Sequence, residues 1–528
     1  MRLSSISVAT LLRVASAIPT TVDLGYAQYN GKSLDAGVNQ YLGIRFAAPP
    51  VGDLRFRAPA EPEKTAGVQD ANSFGKLCLG TDSAYPSTSE SEDCLFINVF
   101  TPSKATKDSN LPVWFFIQGG GYKSNMNPDY NGTDIIRQSG DNVVVVNFNY
   151  RTGAYGFLAS EKVRKDGDLN AGLLDMRMAL KWVQKHIKEF GGNPNQVVIH
   201  GSSAGAGSVA MLMLAYGGRN DGLFHGGIGT SPFFPVQSKV KDLEWQFDRF
   251  AAGAGCKDSH DQLQCLRSKD TATLQAAHVS SPYPGRKTSP LWYFTPTVDG
   301  DFLRDYPYRL IQQGRINPVP TIWGDETDEG TYFAANATTP QDVTSFMADN
   351  YPRLTKLDNT LIDRLYPRQP SVPKHNAYFP SASDAYGEST FICGGLMISG
   401  ALARHHNVWN YRYGVLDETN VAEGLGVPHT WILPAVFGVG YAGSSGVGSS
   451  YEAKDASIVP VVKHYHISFV RTLNPNKLRA PGTPVWDDFS QKGQRLLLQT
   501  NATGMENIQR DQVARCAYWT RIGARLEQ

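Results

Sequence analysis

Ser203 stands between two glycines, in Gly201-Ser202-Ser203-Ala204-Gly205. The spacing is that of a nucleophile elbow, a strand-to-helix turn that lifts a serine hydroxyl above a sheet. Bulky residues two before or two after the serine would clash in so tight a turn, so both places need glycine. Gln196-Val-Val-Ile-His200 supplies a strand before the turn, and Ala206 to Ala215 supplies a small-residue helix after it. The first amide groups of that helix have no intrahelical partner and point at the turn. The chemistry implied is nucleophilic attack on an acyl carbon.

A serine hydroxyl needs a base, most often a histidine oriented by a carboxylate. With this elbow the chain order is Ser, then Asp or Glu, then His, so the partners are sought downstream. Val319-Pro-Thr-Ile-Trp323 reads as a short buried strand running into an acidic loop, where Asp325, Asp328 and Glu329 are the candidates. Spacing alone does not choose among them. The histidines that follow are His375, His405, His406, His429, His464 and His466. His429 follows the Gly/Pro-rich turn Gly424 to Pro428, the kind of loop position where catalytic groups concentrate. His405 and His406 precede a strand and read as edge residues, and His464 and His466 read as structural residues of a helix. Upstream, Val113-Trp-Phe-Phe-Ile-Gln118 reads as a central buried strand. It ends at Gly119-Gly120-Gly121, where backbone N–H groups can approach a ligand, with Gln118 in the place of the histidine of the HGGG-type element.

Taken together these segments resemble the type-B carboxylesterase/lipase family, which includes cholinesterases and secreted microbial esterases. Tyr41 to Ala47, Pro49-Pro50-Val51-Gly52 and Leu54-Arg55-Phe56 are similar to its opening segment. Glu92-Asp93-Cys94-Leu95-Phe96-Ile97-Asn98-Val99 is similar to its second signature, with Phe96 where Tyr or Thr is usual. Phe190 to Gly205 is similar to its serine signature. The resemblance covers nearly the whole chain after residue 17 and implies an α/β-hydrolase fold, with a large, mostly parallel central sheet, flanking helices and inserted helical segments. It implies a triad of Ser203, Glu329 and His429, and an oxyanion hole from the N–H groups of Gly120, Gly121 and Ala204. It also implies the disulfides Cys78–Cys94, Cys256–Cys265 and Cys393–Cys516. No metal or organic cofactor is required by this chemistry, and the sequence shows no metal-ligand cluster or nucleotide fingerprint.

Two departures bear on the substrate. Ser202 precedes the nucleophile where the family often has Glu, which removes a negative charge. The 15 residues from Leu79 to Asp93 hold no Trp or Phe, only Tyr85, which argues against a choline ester, and their shortness argues against a long lipase lid. The expected substrate is a small to medium uncharged ester. A lipase, a natural-product esterase or lactonase, and a non-catalytic binding protein are the alternatives, the last opposed by the presence of all three triad residues. Pro232, Phe233, Phe234 and Pro235 are expected in the acyl pocket, and Tyr441 to Ser450 is expected to shape the site mouth.

The remaining features bound the setting. A length of 528 residues suggests about three domains, but Gly120, Ser203, Glu329 and His429 must meet in one site. A single domain over 18–528 is therefore expected. Strand-like runs at 113–118, 143–149, 197–200, 320–323 and 408–413 alternate with helical stretches such as 173–190. A first hairpin is expected to pair 22–28 with 41–46. The net charge of +1 carries no nucleic-acid footprint, and no apolar run reaches transmembrane length. Nothing in the sequence sets an oligomeric state. Met1-Arg2, Leu3 to Leu12 and Ala15-Ser16-Ala17 resemble a secretory signal over 1–17. Sequons at Asn131, Asn336 and Asn501 and six cysteines also point to secretion.

Overall fold

Valine-, isoleucine- and phenylalanine-rich runs build the sheet, and their near-continuous hydrophobicity reflects burial on both faces. The chain is described by a computed structural model over residues 16–126, 129–443, 445–489 and 493–528. Most of the expected signal, residues 1–15, lies outside the described residues. The principal sheet has eleven strands. In chain order they are β1 (Lys32–Leu34), β2 (Val38–Arg45), β3 (Phe96–Pro102), β4 (Leu111–Ile117), β5 (Val144–Phe148) and β6 (Gly192–Ser202). There follow β7 (Gly226–Thr230), β8 (Thr321–Glu326), β9 (Val408–Tyr413), β10 (Gln494–Leu498) and β11 (Gly504–Asn507). Their spatial order is β11-β10-β9-β8-β7-β6-β4-β5-β3-β2-β1. The strands from β5 through β10 in that order are parallel. The antiparallel strands β1 to β3 and β11 close the two ends. This is the α/β-hydrolase arrangement that the resemblance implies.

Alternation along each strand feeds two cores. Phe115, Ile117, Val197, Ile199 and Trp323 face one layer of helices. Trp114, Phe116, Val198, Ile228 and Ile322 face the other. The helix Ala171–His186 and the short 3-10 turn Ile187–Phe190 cover the expected helical stretch before β6. The expected first hairpin is not formed. Thr21–Asp23 pairs with Gln28–Asn30 in a separate small sheet, and β2 pairs with β1 and β3. Gly31 and the nearby turn at Gly37 allow a tighter return than the long connection expected, and β2 finds its long partner in β3.

Disulfides join Cys78 to Cys94, Cys256 to Cys265 and Cys393 to Cys516. The third spans 123 residues and fastens the helix Arg510–Ile522 to the body. By chain entropy a loop of that length is worth about 5 kcal/mol.

Candidate active site

The groups singled out in the sequence all lie beyond the carboxyl ends of parallel strands of the one sheet, where ligands bind in open α/β sheets. Ser203 follows β6 directly, the glycine run follows β4, Glu329 lies three residues past β8, and His429 lies in the loops after β9. Ser203 is held at φ 58°, ψ −125°, a backbone state that costs a non-glycine residue about 1–3 kcal/mol. Its N–H donates to the Thr230 carbonyl at 2.9 Å, and the helix Ala204–Gly218 starts at the next residue. The flanking glycines are a matter of room. A Cβ on Gly201 would stand 2.1 Å from the Gly205 carbonyl oxygen, and one on Gly205 would stand 2.0 Å from that of Ile117.

The glycine run is built in the same way. Gln118 anchors its start by donating to the carbonyl of Phe148 and to Asn149 Oδ1. The Gly120 carbonyl accepts from the N–H groups of Lys123 and Ser124, which turns the loop back on itself. A Cβ on Gly121 would come within 1.9 Å of the Trp292 ring. Among the described residues no acceptor takes the N–H of Gly120, Gly121 or Ala204, so all three remain able to bind a developing oxyanion.

The acidic loop separates its three candidates. Glu329 is buried and hydrogen-bonds His429 Nδ1 through Oε2. Its Oε1 accepts the Glu326 N–H at 2.9 Å. Asp328 instead ties the two loops together. Its N–H donates to the Val427 carbonyl at 3.0 Å, and its Oδ2 accepts the Val427 N–H at 2.8 Å. Asp325 points to the opposite face of β8, against Gly395. Among the histidines, His375 stacks on Phe379, and His466 is buried against Trp114. His405 and His406 follow the helix Cys393–Leu402.

His429 packs between the rings of Phe333 and Phe391, at 5.1 and 4.4 Å. Among the described residues its Nε2 has no hydrogen-bond partner. Because Nδ1 faces a carboxylate, it carries the proton, which leaves Nε2 as the basic nitrogen. Burial pushes both members of the pair toward their neutral forms. It lowers the imidazole to about 4. It raises the Glu329 carboxyl, opposed by the hydrogen bonds from Glu326. A base works only when unprotonated, so a depressed imidazole keeps it available in mild acid. The acid limb of kcat/KM is therefore expected below the ordinary histidine value of about 6.5, and a pH–rate profile measures it directly. A limb at or above 6.5 would contradict this environment.

Ser203 and His429 share one pocket with Gly119, Gly120 and Gly121. Its volume is about 140 Å³, and Met126, Tyr130, Ser202, Trp292, Tyr332, Phe333, Thr430 and Leu433 complete the wall. Among the described residues no carboxylate or ammonium lines it. A larger depression of about 300 Å³ lies beside Asp328 and Asp384 but does not include Ser203. The residues expected in the acyl pocket are absent from the wall. Phe233 is fully buried one layer back, its ring 5.1 Å from Trp292, and Phe234 packs on Tyr308. Trp292 takes the place expected for them, with its indole N–H donating to the Tyr386 hydroxyl at 2.7 Å. Its aromatic cluster Leu291-Trp-Tyr-Phe294 was the available signal, but nothing local in that loop directs it to the serine. The described residues of 441–450 do not line the pocket either. Ala442 pairs with Tyr130, which does.

The comparisons with known proteins agree with this architecture. The model of the carboxylesterase family matches residues 19–519. Lipase 2 of Geotrichum candidum is 31% identical over 523 residues, covering 88% of this chain and 88% of that protein. Secreted lipase 1 of Botryotinia fuckeliana is 32% identical over 517 residues, covering 89% and 87%. The crystal structure of Aspergillus niger EstA superposes with a TM-score of 0.95 at 50% identity, covering 97% of this chain and 99% of that one. With a family match across nearly its whole length, the chain belongs to the carboxylesterase family and is a carboxylic ester hydrolase.

Proposed function

We propose that the chain is a secreted serine esterase that works through Ser203, His429 and Glu329 on small to medium uncharged esters. Ser203 Oγ attacks the ester carbonyl while His429 Nε2 takes its proton. The tetrahedral oxyanion is bound by the N–H groups of Gly120, Gly121 and Ala204. His429 returns the proton to the leaving alcohol, and an acyl-enzyme remains on Ser203. Water then attacks with His429 again as base. Glu329 holds the imidazole tautomer and stabilises the imidazolium. The observation that carries this reading is the buried His429–Glu329 hydrogen bond opening onto the pocket that also holds the strained Ser203.

The pocket supports the substrate class. Its volume of about 140 Å³ is close to the about 150 Å³ of an engineered core cavity that accepts benzene, and among the described residues its wall carries no fixed charge. Hydrolysis of p-nitrophenyl esters from acetate to palmitate tests this. Turnover is expected to be highest on short acyl chains and to fall toward palmitate. A profile that rises to palmitate, with higher activity on emulsions than on soluble esters, would replace the esterase by a lipase, the name that several relatives bear.

One domain over 18–528 is the unit proposed, since the site draws on strands from β4 to β9. Secretion is supported by the three disulfides, which suit an oxidising compartment, and by relatives named as secreted lipases. The segment 1–17 is proposed as the signal. Asn336 and Asn501 are exposed and Asn131 is partly exposed, and all three are proposed as glycosylation sites. The substrate is a small molecule. Among the described residues no helix is long and apolar enough to cross a membrane.

A further inference from the structure

Glu326 is a fully buried carboxyl beside the triad that the mechanism above leaves unused. It ends β8 on the face opposite Asp325. Its Oε1 accepts the Ile432 N–H at 3.2 Å, and the hydroxyl of Ser231 donates to its Oε2. Ser231 is itself fixed, with φ 55° and its N–H donating to the Gly324 carbonyl at 2.7 Å. The Glu326 N–H donates to Glu329 Oε1 at 2.9 Å, and the two buried carboxyls act on each other. The other ionisable groups that act on Glu326 or feel its charge include Asp325, His429 and the buried phenols of Tyr411, Tyr413 and Tyr451, with Tyr332 at the mouth.

Two neighbouring carboxylates buried away from water repel strongly. One of the two must therefore hold a proton. Glu329 accepts two N–H groups, from Glu326 and His429, and these favour its ionised form. Glu326 accepts one N–H and one hydroxyl, and burial with the adjacent Glu329 pushes it well above the usual carboxylate range. The proton belongs on Glu326, which then has an O–H to donate. A neutral carboxylic acid kept as a hydrogen-bond donor is an established device of buried sites.

We propose that Glu326 is a positioning residue of the triad: its carboxylic acid, clamped by Ser231 and the Ile432 backbone, donates a hydrogen bond to the Glu329 carboxylate and holds it against His429. The inference rests on the triad assignment of Glu329. It accounts for a second acid in a site that needs only one, and for the hydrogen bond that this acid takes from Ser231.

The test compares Glu326→Gln with Glu326→Leu. Glutamine keeps the shape, a neutral charge and a donor for Glu329, so kcat and the acid limb of kcat/KM are expected to stay close to wild type. Leucine keeps the volume without the donor, so kcat should fall about 10- to 100-fold, the usual loss when a group that orients a catalytic ligand from behind is removed, with KM little changed. A Glu326→Gln variant as impaired as Glu326→Leu, or one whose acid limb moves downward as expected on removing a negative charge near His429, would overturn the neutral-acid role. A folded Glu326→Leu with wild-type kcat would overturn positioning. Should the leucine variant fail to fold, the glutamine variant alone decides. Glu329→Gln, run in parallel, separates this inference from the triad itself: full activity there sinks the triad assignment, whereas a strong loss there beside the wrong Glu326 result sinks only the role of Glu326.

Discussion

Replacing Ser203 with alanine is expected to lower kcat by about 10⁴–10⁶. No other group in the pocket can take its place. Ser202 is its neighbour in the chain and also touches the pocket, but it is the last residue of β6 and lacks the turn that exposes Ser203. The strained backbone at residue 203 remains in the variant, because Thr230 and the helix Ala204–Gly218 hold it. The variant should therefore fold, bind ester and fail at the chemical step. Some rate over water should persist from the oxyanion N–H groups. Stopped assays with p-nitrophenyl acetate measure the loss, and the initial burst of p-nitrophenol reports acyl-enzyme formation. A variant that keeps more than about one part in 10² of wild-type kcat would exclude Ser203 as the nucleophile.

Glu329→Gln is expected to be the next most damaging change, at about 10³–10⁴ in kcat. The volume is conserved, and the Glu326 N–H can still donate to the amide oxygen. What changes is the partner of His429 Nδ1. An amide that turns its NH₂ toward Nδ1 selects the tautomer with the proton on Nε2, and that imidazole cannot accept from Ser203. The negative charge that balances the imidazolium is lost as well. The loss should fall on kcat rather than KM, since substrate does not touch Glu329. Asp328→Asn serves as the control. Its carboxylate joins the two loops through Val427, so the change should weaken their union and cost far less. Should Glu329→Gln keep full activity and Asp328→Asn lose it, the acid would be Asp328.

Much of this site was legible because its signals are local. The elbow glycines answer to contacts within a few residues or with the strand next door, and two of those contacts would be near 2 Å with any side chain added. The strand runs were legible for the same reason. A parallel strand buried on both faces is rich in apolar and aromatic residues, and 408–413 was placed to the residue. β6 proved longer than expected, extended by Gly192 to Asn195 at one end and by Gly201 and Ser202 at the other. Choosing Glu329 over Asp325 and Asp328 was different. All three are acids in one short loop, and only the likeness to a family favoured one of them.

Local patterns along the chain were thus enough for the class of reaction and for the strands of the sheet that carries the site. These follow from steric limits and hydrophobic periodicity, which act between near neighbours. The tertiary structure alone decided which face of β8 each acid takes: Glu326 toward Ser231 and Ile432, Asp325 toward Gly395. It alone brought Trp292 from a distant loop into the place expected for Phe233. Side chains on loops go where packing against remote elements is best, and that competition among many weak, long-range contacts leaves no pattern along the chain.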